Sequence, residues 1–336
     1  MDKIRVSLGT AAILGLTPCK LDAVPTTAYL MTYIPRKCYA NCAFCPQARE
    51  SQTKTEFLSR IQWPLFSLKD VLKGFSNKQP KNTFKRICIQ SLNYPELFQD
   101  LKHVITQLRN SQNLPISLSI PPLKKNQLKK LQDLGVNRIG IALDAATPEI
   151  FSKIKGIQNK GPYKWETHLE TIKEALKIYG PYNVTSHLII GLGETEFEAI
   201  SFFQNLFDLE VSTGLFAFTP IKGTILENKL QPTLENYRKI QLARYLIINK
   251  LVRIDDFEFD EEGNITDFGI DSNKLFEIIQ SGLPFLTSGC PNCNRPYYNE
   301  RPGQELYNFP RPLSAHELPN IEKIFRAILE RKENHG

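Results

Sequence analysis

Short apolar runs alternate along the chain with longer segments in which apolar residues recur every three or four positions. The short runs predict strands, and the periodic segments predict helices. Strands are expected at 28–34, 84–90, 115–120, 137–143, 184–190 and 214–220, with weaker ones at 252–259 and 284–288. Helices are expected at 95–112, 123–134, 164–179, 195–209 and 232–250. Repeated strand–helix units give parallel strands, so about eight of them predict an α/β fold, a (β/α)8 TIM-type barrel that is complete or nearly so.

No fixed-period repeat or low-complexity linker divides the 336 residues. We therefore predict a catalytic barrel over 1–282, which includes an N-terminal lead-in segment. A C-terminal extension over 283–336 carries further cysteines and is expected to close with an exposed helix at 315–332. The first residues, MDKIRVSLGTAAILG, imitate a secretory leader, but polar residues and glycines interrupt the apolar run and no A-x-A-type cleavage site follows. They are predicted to form the first packed segment of the fold.

The composition, 41% hydrophobic and 23% charged, is that of a globular protein. The net charge is +7, yet no block of five or more like charges occurs, so the sequence favours a mildly basic soluble surface over a nucleic-acid partner. No stretch approaches the ~20 apolar residues that cross a bilayer.

Seven cysteines, an odd number in a chain with a large potential core, argue against a disulfide scaffold. We expect a cytoplasmic protein whose thiols serve metals or catalysis.

Three of the cysteines, Cys38, Cys42 and Cys45, lie in CYANCAFCPQARE, on the loop that follows the first predicted strand of the barrel. In such barrels the chemistry lies in loops at the carboxyl ends of the strands. Three thiolates can hold three irons of a four-iron cluster and leave the fourth iron without a protein ligand. A structural zinc site, which needs four protein ligands, or a set of reactive thiols is the alternative.

The C-x3-C-x2-C spacing, with Phe44 directly before the last cysteine, resembles the radical S-adenosylmethionine (SAM) superfamily. The resemblance implies a [4Fe–4S] cluster on Cys38, Cys42 and Cys45 whose open iron is chelated by S-adenosyl-L-methionine. One electron from the cluster then cleaves the sulfonium and leaves a 5′-deoxyadenosyl radical.

Other positions match nucleotide contacts of that superfamily. HLIIGLGET places Gly191 and Gly193 before a helix expected to start near Glu194, like the family's glycine motif. Asp144 matches a polar contact to the ribose, although an aspartate that caps the next helix is the alternative. Ile221 matches a residue that packs on adenine, and core packing is the alternative for it. The resemblance thus implies six cofactor-binding residues: Phe44, Asp144, Gly191, Gly193, Glu194 and Ile221.

A second set of cysteines begins with Cys290 and Cys293, which form C-x2-C in TSGCPNCNRPYYNERP. Two ligands do not complete a metal site, so another strand end should contribute. Cys88 lies near the end of the second predicted strand and would face the barrel mouth if it points inward. A buried, unreactive thiol is the alternative for Cys88. No function is assigned to Cys19.

The segments CPQARE, CIQSLNYPE, IIGLGET and KGTILEN occur in the same order as in biotin synthase, so residues 28–260 resemble that subfamily. Biotin synthase builds its sulfur-donating cluster on three barrel cysteines and an arginine. Of the cysteines only Cys88 is kept here, because Ser117 and Thr185 stand at the other two positions, and the arginine is absent from strand seven at 257–259.

The terminal segment instead resembles the subunits of the two-protein lipoyl synthases. This resemblance implies that Cys88, Cys290 and Cys293 hold a second [4Fe–4S] cluster, the sulfur donor, with an oxygen or nitrogen ligand, or none, on its fourth iron. The implied reaction is radical sulfur insertion into a protein-bound octanoyl chain. A biotin synthase-like sulfurtransferase that acts on dethiobiotin is the first alternative, and an iron–sulfur carrier is another.

The same resemblance implies the partners. They are an octanoylated lipoyl carrier domain or glycine cleavage H protein, a second radical SAM lipoyl synthase subunit and a low-potential electron donor such as ferredoxin. Neither nucleic acid nor a membrane is expected. The five histidines form no recognisable triad or zinc-binding pair, so the cofactors carry the chemistry, and His187 is expected to pack or to border the nucleotide.

Overall fold

The computed structural model describes residues 1–76, 84–300 and 303–333. Its strands are β1 (Lys3–Val6), β2 (Thr27–Met31), β3 (Phe57–Leu58), β4 (Ile61–Gln62), β5 (Leu65–Ser67), β6 (Arg86–Gln90), β7 (Ile116–Ser119), β8 (Val136–Gly140), β9 (Val184–Ile190), β10 (Ser212–Ala217), β11 (Glu258–Phe259) and β12 (Ile265–Asp267). Eight of them form one sheet in the order β10-β9-β8-β7-β6-β2-β1-β5. Strands β2 and β6 to β10 are parallel, whereas β1 pairs antiparallel with both β2 and β5.

Helices join the parallel strands and cover the sheet. They are α1 (Leu8–Ile13), α2 (Leu68–Ser76), α3 (Leu97–Ser111), α4 (Lys125–Asp133), α5 (Pro148–Ile154), α6 (Trp165–Tyr179), α7 (Glu196–Asp208), α8 (Leu234–Ile248), α9 (Ser272–Gln280) and α10 (Leu318–Glu333). The strand–helix alternation and the mostly parallel sheet confirm the predicted α/β, TIM-type class. No helix within the described ranges is long and apolar enough to cross a membrane.

The two weaker strand predictions are wrong as members of this sheet. At 252–259 only β11 forms, and it pairs with β12 in a separate two-stranded hairpin. At 284–288 the chain instead forms a 3-10 turn, Leu283–Phe285. Both segments bury apolar residues against aromatic rings. Phe257 contacts Phe268, and Phe285 contacts Phe325. These apolar runs therefore reflect packing of loops and not strands.

Both ends of the chain pack against the barrel. Ile4 and Val6 on β1 are fully buried, which confirms the predicted packed lead-in segment. The terminal helix α10, which was expected to be exposed, is exposed at Lys323 and Arg326 but buries Ile321 and Phe325. The Phe325 ring packs against Phe268 and Phe285, so the terminal helix covers part of the core.

Candidate metal and cofactor site

The loop that follows β2 folds back on itself and so brings its three cysteines together. The Cys38 amide donates to the Gln47 carbonyl at 2.9 Å, and the Cys45 amide donates to the Cys42 carbonyl at 3.0 Å. The buried Gln47 side chain donates to the Thr55 carbonyl at 2.8 Å and anchors the far end of the loop. The cysteine spacing is thus held by hydrogen bonds within one short stretch of chain.

The thiols of this first trio (Cys38, Cys42 and Cys45) influence one another. Burial raises the pKa of Cys42; Lys155 opposes this rise, and the Cys45 and Cys38 thiols add to it. Burial also raises the pKa of Cys45, to about 12, and that of Cys38. The Asn93 amide donates to Cys38 Sγ at 3.0 Å. Because thiolates in a dry site need compensating positive charge, this trio suits a metal group.

A second trio (Cys88, Cys290 and Cys293) assembles from two distant parts of the chain. Cys88 lies on β6, whereas the other two follow the Leu283–Phe285 turn. The Cys293 amide donates to the Cys290 carbonyl at 3.1 Å, which makes the C-x2-C segment a tight turn. Burial raises the pKa of Cys88, and the Cys290 and Cys293 thiols raise it further. The three predicted ligands therefore lie near one another.

Residues of β2 and of the segment just before it hold the C-terminal segment in place. The Tyr29 hydroxyl lies 3.2 Å from Cys293 Sγ, and the Arg295 amide donates to the same hydroxyl at 3.0 Å. The Thr26 amide donates to Asn294 Oδ1 at 3.0 Å. The second trio consequently depends on contacts between residues about 270 positions apart in sequence. Such contacts are possible because the entropic cost of closing a loop grows only slowly with its length.

Two arginines lie beside the second trio. Arg86 precedes Cys88 by two positions on β6, and so shares its face of the strand. Within the described residues its buried Nε and Nη1 have no hydrogen-bond partner, and the same holds for Arg295 Nε. Burial lowers the pKa of Arg86, an effect that the Cys290 thiol opposes. Buried donors without partners mark a place where an anionic group fits.

Both trios border one cavity of about 260 Å³. Cys42 and Cys45 line it from the first trio, and Cys88, Cys290 and Cys293 line it from the second. Across the described ranges, no three His, Cys, Asp or Glu side chains stand close enough to hold one metal ion. A zinc site gathers four ligands around one ion, whereas a cluster spreads its thiolates over several irons. Three thiols in each trio are too few for a closed structural zinc site but can hold three irons of a cluster.

Asp144 lines the same cavity and is paired with a residue that the sequence analysis missed. Its Oδ2 lies 2.7 Å from Lys155 Nζ, and both side chains are almost fully buried. The Lys155 ammonium also donates to the Ala142 carbonyl at 2.7 Å. The alternative role of Asp144 as a helix cap is wrong, because the Thr147 side chain caps α5 through a bond from the Ile150 amide.

The glycine motif follows β9, as expected, but its amides are already engaged. Gly191 and Gly193 have φ values of 102° and 129°, which favour glycine. The Glu194 carboxylate accepts the amides of Gly191 at 2.6 Å, Leu192 at 3.1 Å and Gly193 at 3.1 Å. Helix α7 begins at Glu196, after the Thr195 cap. Gly191, Gly193 and Glu194 are not among the residues that line the cavity.

Phe44 and Ile221 do line the cavity, and so does His187. The His187 ring packs against Phe216 with 5.1 Å between centroids, which agrees with its expected packing role. Burial lowers the pKa of His187 to about 4, so its imidazole is neutral at neutral pH.

Comparison with known proteins supports the same chemistry. Residues 32–206, just over half of the chain, match the family model described as the Radical SAM superfamily. The chain belongs to this superfamily. Membership implies a [4Fe–4S] cluster and S-adenosylmethionine, and the first trio supplies the three thiols that such a cluster needs. The donor set and its burial fit that group.

The radical SAM chain has curated relatives described as biotin synthases. It is 29% identical to that of Methanococcus aeolicus over 226 residues, which cover 65% of each protein. It is 27% identical to that of Clostridium botulinum over 258 residues, which cover 75% of this chain and 74% of the relative. The chain thus matches slightly less than two thirds of the length of the first of these relatives.

Solved structures support the fold alone. The FeFe-hydrogenase maturase HydG of Carboxydothermus hydrogenoformans aligns with a TM-score of 0.51 at 17% identity, over 66% of this chain and 51% of that one. Methylornithine synthase (PylB) aligns with a TM-score of 0.52 at 14% identity, over 67% and 63% respectively.

Four residues of the site were not singled out from the sequence: Tyr29, Arg86, Lys155 and Arg295. The position of Arg86 two residues before Cys88 is a signal that could have been used, since alternate strand residues share a face. For Lys155 there is no local signal, because its partner Asp144 is brought close only by the turn into α5.

Proposed function

We propose that this radical SAM protein inserts sulfur into an unactivated C–H bond of a protein-bound octanoyl (or mercaptooctanoyl) chain. The observation that carries the proposal is that two separate cysteine trios border a single cavity. One trio has the spacing of the superfamily's cluster site, and the other would hold a second cluster that serves as the sulfur donor. A substrate carbon placed between them would lie within reach of both.

When bound, a reduced [4Fe–4S] cluster and S-adenosylmethionine supply one-electron chemistry strong enough to break an alkyl C–H bond. The protein's part is to bind, orient and exclude water. Phe44, Asp144 and Ile221 border the space for the nucleotide, and the Gly191–Glu194 loop follows β9, whose residues His187 and Ile189 line the same cavity. Aromatic side chains that line the cavity, including Trp63 and Phe216, keep the reacting carbon dry.

The proposed reaction needs no acid–base catalysis, and the cavity lining offers few groups that could supply it. An alkyl C–H bond has no acidity that a protein base could use. The one histidine in the cavity lining, His187, has a pKa lowered to about 4 by burial and packs on Phe216. It serves as a wall of the pocket and not as a proton carrier.

The composition of the second trio supports an octanoyl substrate over dethiobiotin. Ser117 lies directly beside Cys88 in the sheet register, at a position where the biotin synthase resemblance implies a cysteine. The missing thiols are replaced from the C-terminal segment. The proposed partners are an octanoylated carrier domain or H protein, a second radical SAM subunit and a low-potential donor such as ferredoxin. The net charge of +7 is compatible with an acidic carrier.

A biotin synthase-like reaction on dethiobiotin is the second candidate. The 29% identity to the biotin synthase of Methanococcus aeolicus favours it. Both candidates share the sulfur-insertion chemistry and differ in the substrate.

Mass spectrometry of reaction products tests the proposal. The anaerobically reconstituted protein is given an octanoyl-lysine peptide, a mercaptooctanoyl-lysine peptide or dethiobiotin, with S-adenosylmethionine and a strong reductant. We expect one of the two acyl peptides to gain the mass of one sulfur and dethiobiotin to stay unchanged. Sulfur in dethiobiotin alone would establish the second candidate, and formation of 5′-deoxyadenosine without sulfur in any of the three substrates would contradict both.

A further inference from the structure

A second, larger cavity of about 580 Å³ adjoins the site. Most of its wall comes from four segments: the loop at 19–25, the β3–β4 hairpin with Trp63, the loop at 220–222 after β10, and the C-terminal segment at 295–300. Lys20 and Lys222 are exposed, so the cavity opens to solvent there. Cys19, which lies in neither trio, belongs to this wall as well.

The outer cavity shares a wall with the inner one. Six residues line both of them: Tyr29, Ser59, Trp63, Ile221, Arg295 and Tyr298. Two of these, Tyr29 and Arg295, also contact the second trio. The two cavities are therefore adjacent, and a path from solvent to the space between the cysteine trios would pass through both of them, along these shared side chains.

The path is shaped for an apolar ligand. Its lining is mostly apolar, with Leu21, Phe57 and Ile61 among the side chains on the walls. The outer volume of about 580 Å³ alone lies in the range of ~300–1,000 Å³ that is typical of sites which bury a small organic ligand. A compact ligand that reacted in the inner cavity would make no use of the outer one, whereas an extended chain that reached the inner cavity from solvent would lie in both.

We infer that the outer cavity is the entry channel for an extended apolar acyl chain whose carrier stays outside, at the opening near Lys20 and Lys222. This inference rests on the proposed function and adds the route and the shape of the substrate. Because burial of each methylene contributes about 0.8 kcal/mol, each methylene removed from the chain should weaken binding about fourfold.

The test uses the cluster-loaded protein and a fluorescent peptide that carries an octanoyl-lysine or a hexanoyl-lysine. Fluorescence anisotropy gives the dissociation constants. Ala23→Trp fills the channel wall, whereas Val24→Trp places the same ring on the adjacent residue, which is 46% exposed and not part of the lining. Equal iron content in both variants reports that each one folds.

The wild type should bind the hexanoyl peptide about fifteenfold more weakly than the octanoyl peptide, since two methylenes are lost. Ala23→Trp should weaken octanoyl binding about tenfold or more by displacing a similar length of chain. Val24→Trp should bind like the wild type. If Ala23→Trp binds the octanoyl peptide as tightly as the wild type, or if the dissociation constant does not depend on chain length, the channel assignment is wrong.

The two proposals fail in different ways. If the octanoyl peptide binds with the expected dependence on Ala23 and chain length but never gains sulfur, the channel stands and the proposed function is wrong. If the peptide gains sulfur while Ala23→Trp binds and reacts like the wild type, the function stands and the channel is wrong.

Discussion

The two cysteine trios differ in how the chain builds them. The first lies within eight residues of one loop, whose own backbone bonds fix it. The second joins Cys88 on β6 to a C-terminal turn that is held to the barrel through Tyr29 and Asn294. A locally built site keeps its geometry as long as its loop folds. A site assembled across the chain depends on docking of a separate segment, and so can change without disturbing the first.

The charged residues beside the two trios also differ. The first trio lies near a closed ion pair, in which Asp144 and Lys155 satisfy each other. The second lies beside Arg86 and Arg295, each of which keeps a buried donor without a partner among the described residues. The Lys155 ammonium near the first trio is thus already paired within the protein, whereas the arginines beside the second trio keep donors that an anionic group could engage.

Removing one trio at a time should separate the two roles most strongly. Cys42→Ala should abolish 5′-deoxyadenosine formation, since the superfamily's cluster loses a ligand. The double variant Cys290→Ala and Cys293→Ala should retain that activity and lose sulfur insertion into the octanoyl peptide. Chromatography of the nucleosides and mass spectrometry of the peptide measure both. Loss of S-adenosylmethionine cleavage in the double variant would show that the two trios are not independent.

Breaking the ion pair near the first trio should give the next largest effect. Lys155→Met leaves the Asp144 carboxylate buried without a counter-charge, so the free energy of unfolding should fall by about 3–5 kcal/mol in urea denaturation. Adding Asp144→Asn should restore most of it, because asparagine is neutral and tolerates the φ of 65° at this position.

Lys153→Met is the matched control for Lys155→Met. It breaks an exposed pair with Glu149 on the same helix and should leave the free energy of unfolding close to the wild-type value, because solvent screens exposed ion pairs. If Lys155→Met were no more destabilising than Lys153→Met, the buried pair would have no part in holding this side of the site.

Arg86→Gln should affect only the second site. Loss of a nearby cation disfavours the added electron, so the midpoint potential of the second cluster should fall by roughly 30–60 mV, up to a tenfold change in the one-electron equilibrium. Redox titration followed by electron paramagnetic resonance measures this shift. The control Lys85→Gln removes an exposed charge from the opposite face of the strand and should leave both potentials unchanged. Equal shifts in the midpoint potentials of both clusters, or no shift in either, would show that Arg86 does not act specifically on the second cluster.

The smallest effect concerns His168, which packs beside the first site between Phe151 and Tyr163. Burial lowers the pKa of His168 to about 3. The unfolded chain, with a pKa near 6.5, binds the proton first, so stability is lost as the pH falls below that value. This contribution amounts to about 0.8 kcal/mol between pH 8 and pH 6.

His168→Phe should therefore remove that share of the pH dependence of the free energy of unfolding. His103→Phe alters an exposed histidine and should retain the wild-type slope. A wild-type slope in His168→Phe as well would mean that His168 is not buried in its neutral form.

The sequence predicted the parts that depend on local pattern. All six parallel strands coincide with apolar runs, because buried strands need continuous apolar residues. Helix α5 was missed, because seven residues are too few to show helical periodicity. The β3–β4 hairpin was missed too, since each of its strands has two residues.

The same limit applies to the candidate site. The spacing of Cys38, Cys42 and Cys45 identifies the first trio without a structure. Its predicted place near a strand end made Cys88 a candidate to join Cys290 and Cys293, but only a family resemblance implied that the three form one ligand set, because no spacing rule links residues so far apart. The contacts of Tyr29 with Cys293 and of Lys155 with Asp144 arise from tertiary packing, and single-sequence patterns carry no trace of them.

The most direct test of the central claim, two separate clusters on two trios, is to count iron and acid-labile sulfide in the anaerobically reconstituted protein. The wild type should contain about eight of each per chain, as two four-iron clusters require. The triple variant Cys88→Ala, Cys290→Ala and Cys293→Ala should contain about four and keep the Mössbauer spectrum of the remaining cluster. About four irons in wild type and triple variant alike would contradict the claim.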